Sequence, residues 1–119
     1  MSVIMDYIVE QGTDGIWTYE KWASGKAVCW GSASRSGIAN QKWSEGHFYF
    51  AITDITFPTG LFTTTPVVNT TIEESGGNFF MSKRTSSATS LGALYAISLI
   101  EYSDTKTVVF NIEAKGRWK

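Results

Sequence analysis

The sequence of 119 residues contains a single cysteine and a single histidine, and this scarcity excludes several kinds of protein. With Cys29 alone, the chain cannot build an internal disulfide framework. One histidine and one cysteine also cannot supply a zinc site made of several His and Cys ligands, so neither a metal nor a cofactor is predicted. A calcium site of oxygen ligands stays open, although the D-x-[DN]-x-[DN]-G pattern is absent.

Strong charge and long apolar runs are also missing. The net charge is −1 and the acids and bases are scattered, so the basic stripe that nucleic-acid binding needs is absent. No apolar run approaches the roughly 20 residues of a membrane span, so no membrane insertion is predicted. The first twelve residues have no basic region and contain Asp6, which argues against a signal peptide and for synthesis in a cytoplasm.

The sequence assembles no catalytic motif. A nucleophilic triad would have to use His47, and the G-x-S-x-G elbow is absent. Glu73 and Glu74 are adjacent, so on a strand they point to opposite faces. A glycosidase needs two facing carboxyl groups, and no pair stands out among the eleven acids. Residues 31–37, GSASRSG, lack the Gly-Lys-[ST] ending of a phosphate loop. The chain is therefore predicted not to be an enzyme.

The composition favours strands. Only four leucines occur, against many threonines, serines, valines and aromatic residues. Alternating segments separated by turn residues predict an all-β, antiparallel β-sandwich of about eight short strands in one domain. The predicted strands cover residues 7–10, 16–22, 26–30, 46–54, 66–74, 78–83, 94–101 and 107–113, with turns or loops at 23–25, 31–37, 75–78 and 85–91.

Aromatic residues are dense, at 14% of the chain, and three of the five tryptophans lie within residues 15–31. Such residues either pack in a core or form an exposed apolar binding surface. Six of them cannot all belong to the core of a domain this small: Tyr19, Trp22, Trp43, Tyr49, Tyr102 and Trp118. For any one of them taken alone, packing in the core is favoured, whereas the group as a whole indicates some exposure for binding. Cys29 is predicted to be a buried, inert thiol, with an intermolecular disulfide or a reactive thiol as the alternatives.

Three stretches resemble the C-terminal domains of bacteriophage tail fibres and related phage tail proteins. They are the W-x-Y-x-K-W-x-S-G…C-W-G pattern of residues 17–31, the I-T-F-P…F…P-V-V pattern of residues 55–68, and the hydrophobic strands with a Gly-aromatic ending of residues 97–118. The second stretch is also similar to H-type lectin domains, which are small trimer-forming β-sandwiches that bind sugars. Together the stretches cover most of the chain from Gly12 onward.

The resemblance implies a homotrimeric tip in a virion tail that recognises a bacterial surface receptor, a glycan or another surface molecule, without catalysis. Residues 1–11 would be the junction with other tail proteins and residues 12–119 the tip domain. A threefold assembly would raise weak single-site affinities through avidity. The alternative is a free-standing lectin-like carbohydrate-binding module.

The same resemblance implies roles for particular residues. Eight would hold the sandwich core: Phe48, Phe50, Ile52, Val68, Ile97, Leu99, Val108 and Phe110. Trp22, Trp43 and Tyr49 would make subunit contacts or stack on sugars. Receptor contact is expected from the loops 32–41 and 83–90, where Arg35, Asn40, Lys83 and Arg84 would donate hydrogen bonds.

Overall fold

The computed structural model describes residues 5–74 and 77–119, and within these ranges every regular element is a strand. The all-β prediction is confirmed, with nine strands rather than about eight. The strands are β1 (Ile8–Asp14), β2 (Trp17–Trp22), β3 (Lys26–Gly37), β4 (Gln41–Ser44), β5 (His47–Ile52), β6 (Val67–Glu74), β7 (Phe80–Lys83), β8 (Leu94–Ser98) and β9 (Lys106–Arg117). The additional strand is β4, which is too short and too exposed to show an alternating pattern.

Two antiparallel sheets form the domain. One has five strands in the order β1-β2-β3-β9-β6, and the other has four in the order β4-β5-β8-β7. The predicted turn at residues 23–25 is confirmed, and Gly25 there has a positive φ of 103°, a conformation that favours glycine. The predicted tight turn at 75–78 lies partly outside the described residues.

The centre of the larger sheet is the pairing of β3 with β9. Its register runs unbroken from Lys26 opposite Arg117 to Gly37 opposite Lys106. The prediction that residues 31–37 form a loop is therefore wrong, as is the receptor loop 32–41, of which 38–40 alone lie outside strands. A polar, small-residue composition is typical of loops, but here the backbone of β9 supplies a hydrogen-bonding partner along the whole segment.

Two glycines in this segment allow close approach of neighbouring chain. A methyl group on Gly31 would collide with the backbone carbonyl oxygen of Ile16. A methyl on Gly37 would lie 2.5 Å from the Phe50 ring. Gly31 thus lets the start of β2 approach β3 within the larger sheet, and Gly37 lets Phe50 of the other sheet pack against it.

A long connection completes the layer that faces the larger sheet. Residues 53–66, between β5 and β6, contribute Phe57 and Phe62 to the core. The Phe57 ring lies 5.8 Å from Trp17 of β2, and Phe62 packs against Gly116 of β9. The four-stranded sheet therefore covers one part of the larger sheet, and the connection covers another.

Most of the predicted core residues are buried: Phe50, Ile52, Ile97, Val108 and Phe110. Phe48 and Val68 are half-buried. The prediction for Leu99 is wrong, because this side chain is 64% exposed, one residue beyond the end of β8.

The inner face of β8 differs from the one predicted. Leu94 and Ala96 belong to the core cluster, so the alternate residues Tyr95 and Ile97 point outward. Ile97 is nevertheless buried, because it pairs with Tyr49 on one side and Phe80 on the other. Both faces of β8 carry apolar residues, so alternation alone did not identify the inner one.

The domain is elongated, with extents of 62 × 25 × 23 Å. Its radius of gyration is 17.1 Å, against roughly 13.5 Å for a compact domain of this length. The twelve-residue strands β3 and β9 set the long axis, because such a strand spans about 40 Å.

Candidate binding surfaces

Three aromatic residues form a cluster on the outer side of the four-stranded sheet. Trp43 of β4, Tyr49 of β5 and Tyr95 of β8 lie on three adjacent strands. Their ring centroids are 5.5 to 5.6 Å apart in all three pairs, and each pair is edge-to-face at 73°. Nε of Arg84 donates a 3.1 Å hydrogen bond to the Tyr95 hydroxyl, so the cluster carries one cation at its margin.

Apolar side chains extend this cluster across the sheet. Trp43 is 50% exposed and lines a pocket of about 180 Å³ with Phe80 and Ile97. Phe80 also lines a second pocket of about 270 Å³ with the exposed Leu99 and Ile100. We call this continuous surface, from the aromatic cluster to Leu99 and Ile100, the aromatic face. Exposed apolar surface of this kind is typical of protein–protein contacts.

A second surface lies on the outer side of the five-stranded sheet. Two rows of side chains cross strands β3, β9 and β6 there. One row is Trp30, Glu113 and Asn69, and the next is Ser32, Asn111 and Thr71. They line a groove of about 440 Å³, which we call the Trp30 groove.

The Trp30 groove combines an aromatic ring with polar groups. The Trp30 side chain is 39% exposed. The Ser32 hydroxyl donates a 2.6 Å hydrogen bond to Oδ1 of Asn111, so the Nδ2 amino group of that amide is left to donate outward. The Glu113 carboxylate lies 3.3 Å from the Lys115 ammonium, an exposed pair on the groove margin. The groove therefore offers an apolar platform with both donors and acceptors beside it.

Of the seven residues predicted from the sequence to bind a ligand, three come together and a fourth, Lys83, is their neighbour in the chain. Trp43 and Tyr49 are in direct contact, and Arg84 joins them through Tyr95. Lys83 is next in the chain to Arg84, and its ammonium group donates to the Arg84 carbonyl oxygen at 2.8 Å. Burial lowers the pKa of Lys83.

The other three predicted residues lie apart from this group. Trp22 ends β2 in the larger sheet, with the Lys26 ammonium 4.2 Å from its ring centroid. Arg35 of β3 forms a two-point ion pair with Asp54, with Nη2–Oδ2 at 3.1 Å and Nε–Oδ1 at 3.3 Å. Asn40 is exposed in the short link between β3 and β4. Arg35 thus links β3 to Asp54 in the connection 53–66, and its guanidinium is already hydrogen-bonded within the domain.

The sequence interpretation missed the Trp30 groove. In the sequence, Trp30 stands out only within the W-x-Y…C-W-G pattern of residues 17–31, and Asn69, Asn111 and Glu113 carry no local signal. Their approach depends on the pairing of β3, β9 and β6, which are distant in the chain. The one available signal was the alternation of Trp30 and Ser32 along β3, which puts both side chains on one face.

Within residues 5–74 and 77–119, no group of three or more His, Cys, Asp or Glu side chains could hold a metal ion. His47 on β5 contacts its neighbours, with Nδ1 2.8 Å from the Ser44 hydroxyl and 3.1 Å from the Glu45 carbonyl oxygen. The same part of the chain has no helix long and apolar enough to cross a bilayer.

Comparison with known proteins relates the chain to two solved fibre structures. No protein-family model and no curated protein matches the sequence. The N-truncated R1-type pyocin tail fibre is 16% identical, with a TM-score of 0.58 over 95% of this chain and 86% of that chain. A C-terminal segment of the R1 pyocin fibre of P. aeruginosa is also 16% identical, with a TM-score of 0.54 over 95% of this chain and 28% of that chain. These likenesses establish a shared fold, while the similarity to H-type lectins stays a prediction.

Proposed function

We propose that this chain is a tail-fibre domain that assembles as a homotrimer and recognises a bacterial surface glycan without catalysis. The observation that carries the proposal is the fold, which matches two segments of R1 pyocin tail fibre over nearly the whole chain. A place in a tail follows from the same likeness. Fold alone does not assign function, so further support has to come from the surfaces of the domain.

The elongated shape supports a fibre role. The domain is 62 Å long and about 25 Å wide, and its two longest strands run side by side. Such a shape adds length to a fibre with few residues, and it exposes more side surface than a compact domain does.

The aromatic face supports self-assembly. It groups Trp43, Phe80, Leu99 and Ile100 on one side of the four-stranded sheet. Three copies around a threefold axis would each meet their neighbours through unlike surfaces in a closed ring. We propose that the aromatic face supplies one of these surfaces, because its apolar side chains gain most from removal from water.

A free-standing carbohydrate-binding module is the second candidate. The Trp30 groove favours it, because an exposed tryptophan beside amide and carboxylate groups suits sugars whether or not the domain belongs to a fibre. A monomer in solution would favour this single module, whereas a trimer is compatible with a fibre domain and with a trimer-forming lectin.

The test is the solution mass, measured by light scattering behind a sizing column. We expect three times 13.2 kDa for the unmodified chain. Leu99→Asp places a charge on the aromatic face and should yield a folded monomer. It should still melt cooperatively, but at a lower temperature than the trimer, because subunit association stabilises the folded state. Val67→Asp is the matched control, since Val67 is 71% exposed on the other sheet, and it should leave the trimer intact.

Other outcomes would contradict the proposal at different points. A monomeric unmodified chain would overturn the homotrimer and favour the single module. A trimer that persists in Leu99→Asp but is lost in Val67→Asp would place the subunit contact on the five-stranded sheet instead.

A further inference from the structure

We propose that the Trp30 groove is the glycan site and that it takes a neutral pyranose sugar. This inference rests on the proposed glycan recognition and specifies where and how it occurs. It differs from the sequence interpretation, which placed sugar contacts on Trp22, Trp43 and Tyr49.

The first argument is the availability of ring faces. In the aromatic cluster, Trp43, Tyr49 and Tyr95 contact one another edge-to-face, so each ring has neighbours against it. Trp30 has no aromatic partner among the described residues and stands 39% exposed. A sugar ring presents C–H groups on its flatter side, and these pack against an open indole face.

The second argument is the polar surroundings of that ring. Sugar hydroxyls both donate and accept hydrogen bonds. Asn69 offers a donor and an acceptor, Asn111 offers the amino group not used by Ser32, and Glu113 offers carboxylate oxygens. These groups are presented by the strands β6 and β9, whose backbones are held in the sheet, so little ordering accompanies binding.

The third argument is size. The two rows of side chains are about 7 Å apart along the strands, and the three strands span about 10 Å. Together with the volume of about 440 Å³, this space accommodates one or two sugar rings lying along the sheet.

The fourth argument is charge, which sets the class of sugar. Among the residues that line the groove, Glu113 is the one charged side chain. The Lys115 ammonium on the groove margin pairs with one oxygen of this carboxylate, so the groove presents no net positive charge to attract an acidic sugar such as a uronic acid. The other carboxylate oxygen accepts hydrogen bonds from a neutral sugar. The groove also lies on a different sheet from the aromatic face, so subunit contact there would leave the groove open.

The experiment begins with the intact chain on a printed array of bacterial surface polysaccharides. The best neutral oligosaccharide fragment is then titrated in solution by calorimetry, which reports single-site affinity free of avidity. Trp30→Ala should weaken binding by about tenfold or more, as truncation of a central aromatic contact does. Trp30→Phe keeps an aromatic platform and should retain affinity within about threefold.

Two further variants make the result specific to the groove. Asn69→Ala removes an exposed amide that lines the groove, and it should also weaken binding by about tenfold. Tyr7→Ala is the matched control, because it removes an exposed aromatic residue outside the groove and should leave affinity unchanged. Thermal melts of all variants report whether each one is folded.

The outcomes separate this inference from the proposed function. If the unmodified chain binds glycans and Trp30→Ala binds equally well, glycan recognition stands and the groove is the wrong site. If the array binds the chain through acidic sugars alone, the assignment to neutral sugars is wrong. If no polysaccharide binds, glycan recognition itself is overturned, and this inference with it.

Discussion

The indole Nε1 of Trp17 donates a 2.7 Å hydrogen bond to the backbone carbonyl oxygen of Thr56. Trp17 is a buried residue of β2, and Thr56 lies in the connection 53–66 that covers part of the larger sheet. The bond therefore joins the five-stranded sheet to this connection, which contains no regular strand. The contact between the Trp17 and Phe57 rings lies next to it.

Removing this donor should loosen the connection. Trp17→Phe keeps an aromatic ring but leaves the Thr56 carbonyl without the indole, and we expect a loss of about 1–2 kcal/mol in the free energy of unfolding. Trp17→Ala also opens a cavity and should cost about 3–5 kcal/mol. Urea unfolding measures both, and a loss near zero for Trp17→Phe would mean that the hydrogen bond contributes nothing beyond packing.

Phe110 and Leu99 provide a matched test of the core. Phe110 is completely buried at the centre of β9, whereas Leu99 is exposed. We expect Phe110→Ala to lower the free energy of unfolding by about 3–5 kcal/mol. At a protein concentration where the chain is monomeric, Leu99→Ala should stay within about 0.5 kcal/mol of the unmodified chain, because the exposed side chain makes few contacts within its own domain. Thermal and urea unfolding report both values, and a large loss for Leu99→Ala at low protein concentration would place that residue in the core after all.

Cys29 should be unreactive in the folded protein. It is fully buried between two paired strands, and burial raises the pKa of its thiol to about 12. The thiolate is the reactive form, so at pH about 8 a disulfide reagent should modify Cys29 only as fast as the protein opens. Full modification should follow in denaturant. Rapid modification of the native protein would show that the thiol is accessible, as the alternative sequence interpretation held.

The hydrogen bonds between Ser24 and Asp6 should make the free energy of unfolding depend on pH. The Ser24 hydroxyl donates to the Asp6 carboxylate at 2.6 Å, the Ser24 amide donates at 2.9 Å, and these bonds lower the pKa of Asp6 from its usual 3.8. A carboxyl group with a lowered folded-state pKa stabilises the protein above its unfolded pKa, and that contribution disappears as pH falls through the folded value. Ser24→Ala should therefore raise the pKa of Asp6 in an NMR titration. The stability difference between the two proteins should shrink below pH 3.8, and a difference that is constant with pH would contradict the link.

The sequence predicted much of the strand content. Strong alternation located β5, β6 and the first part of β9, and turn residues located the hairpin from β2 to β3. Burial of Cys29 was predicted and is confirmed. These features depend on residues close together in the chain, so local patterns were enough to find them.

Local patterns failed where neighbouring strands decide the outcome. Residues 31–37 look like a polar loop, yet they are strand because β9 pairs with them throughout. Alternation in β8 favoured Tyr95 and Ile97 as inner residues, whereas Leu94 and Ala96 face the core. For both segments the missing information is which strand lies alongside, and that partner is distant in sequence.

By itself, the amino-acid sequence determined an all-β domain with one buried thiol and more aromatic residues than its core requires. Alternating apolar residues and turn residues involve only a few neighbouring positions, so they can be recognised along the sequence without knowledge of the fold. The tertiary structure alone decided which aromatic residues meet. Trp43, Tyr49 and Tyr95 come from three strands of one sheet, and Trp30 meets Asn69 and Glu113 across three strands of the other. Both surfaces exist because antiparallel pairing fixes the register between segments that are distant in the chain. Register belongs to a pair of strands, so no single stretch of sequence contains it.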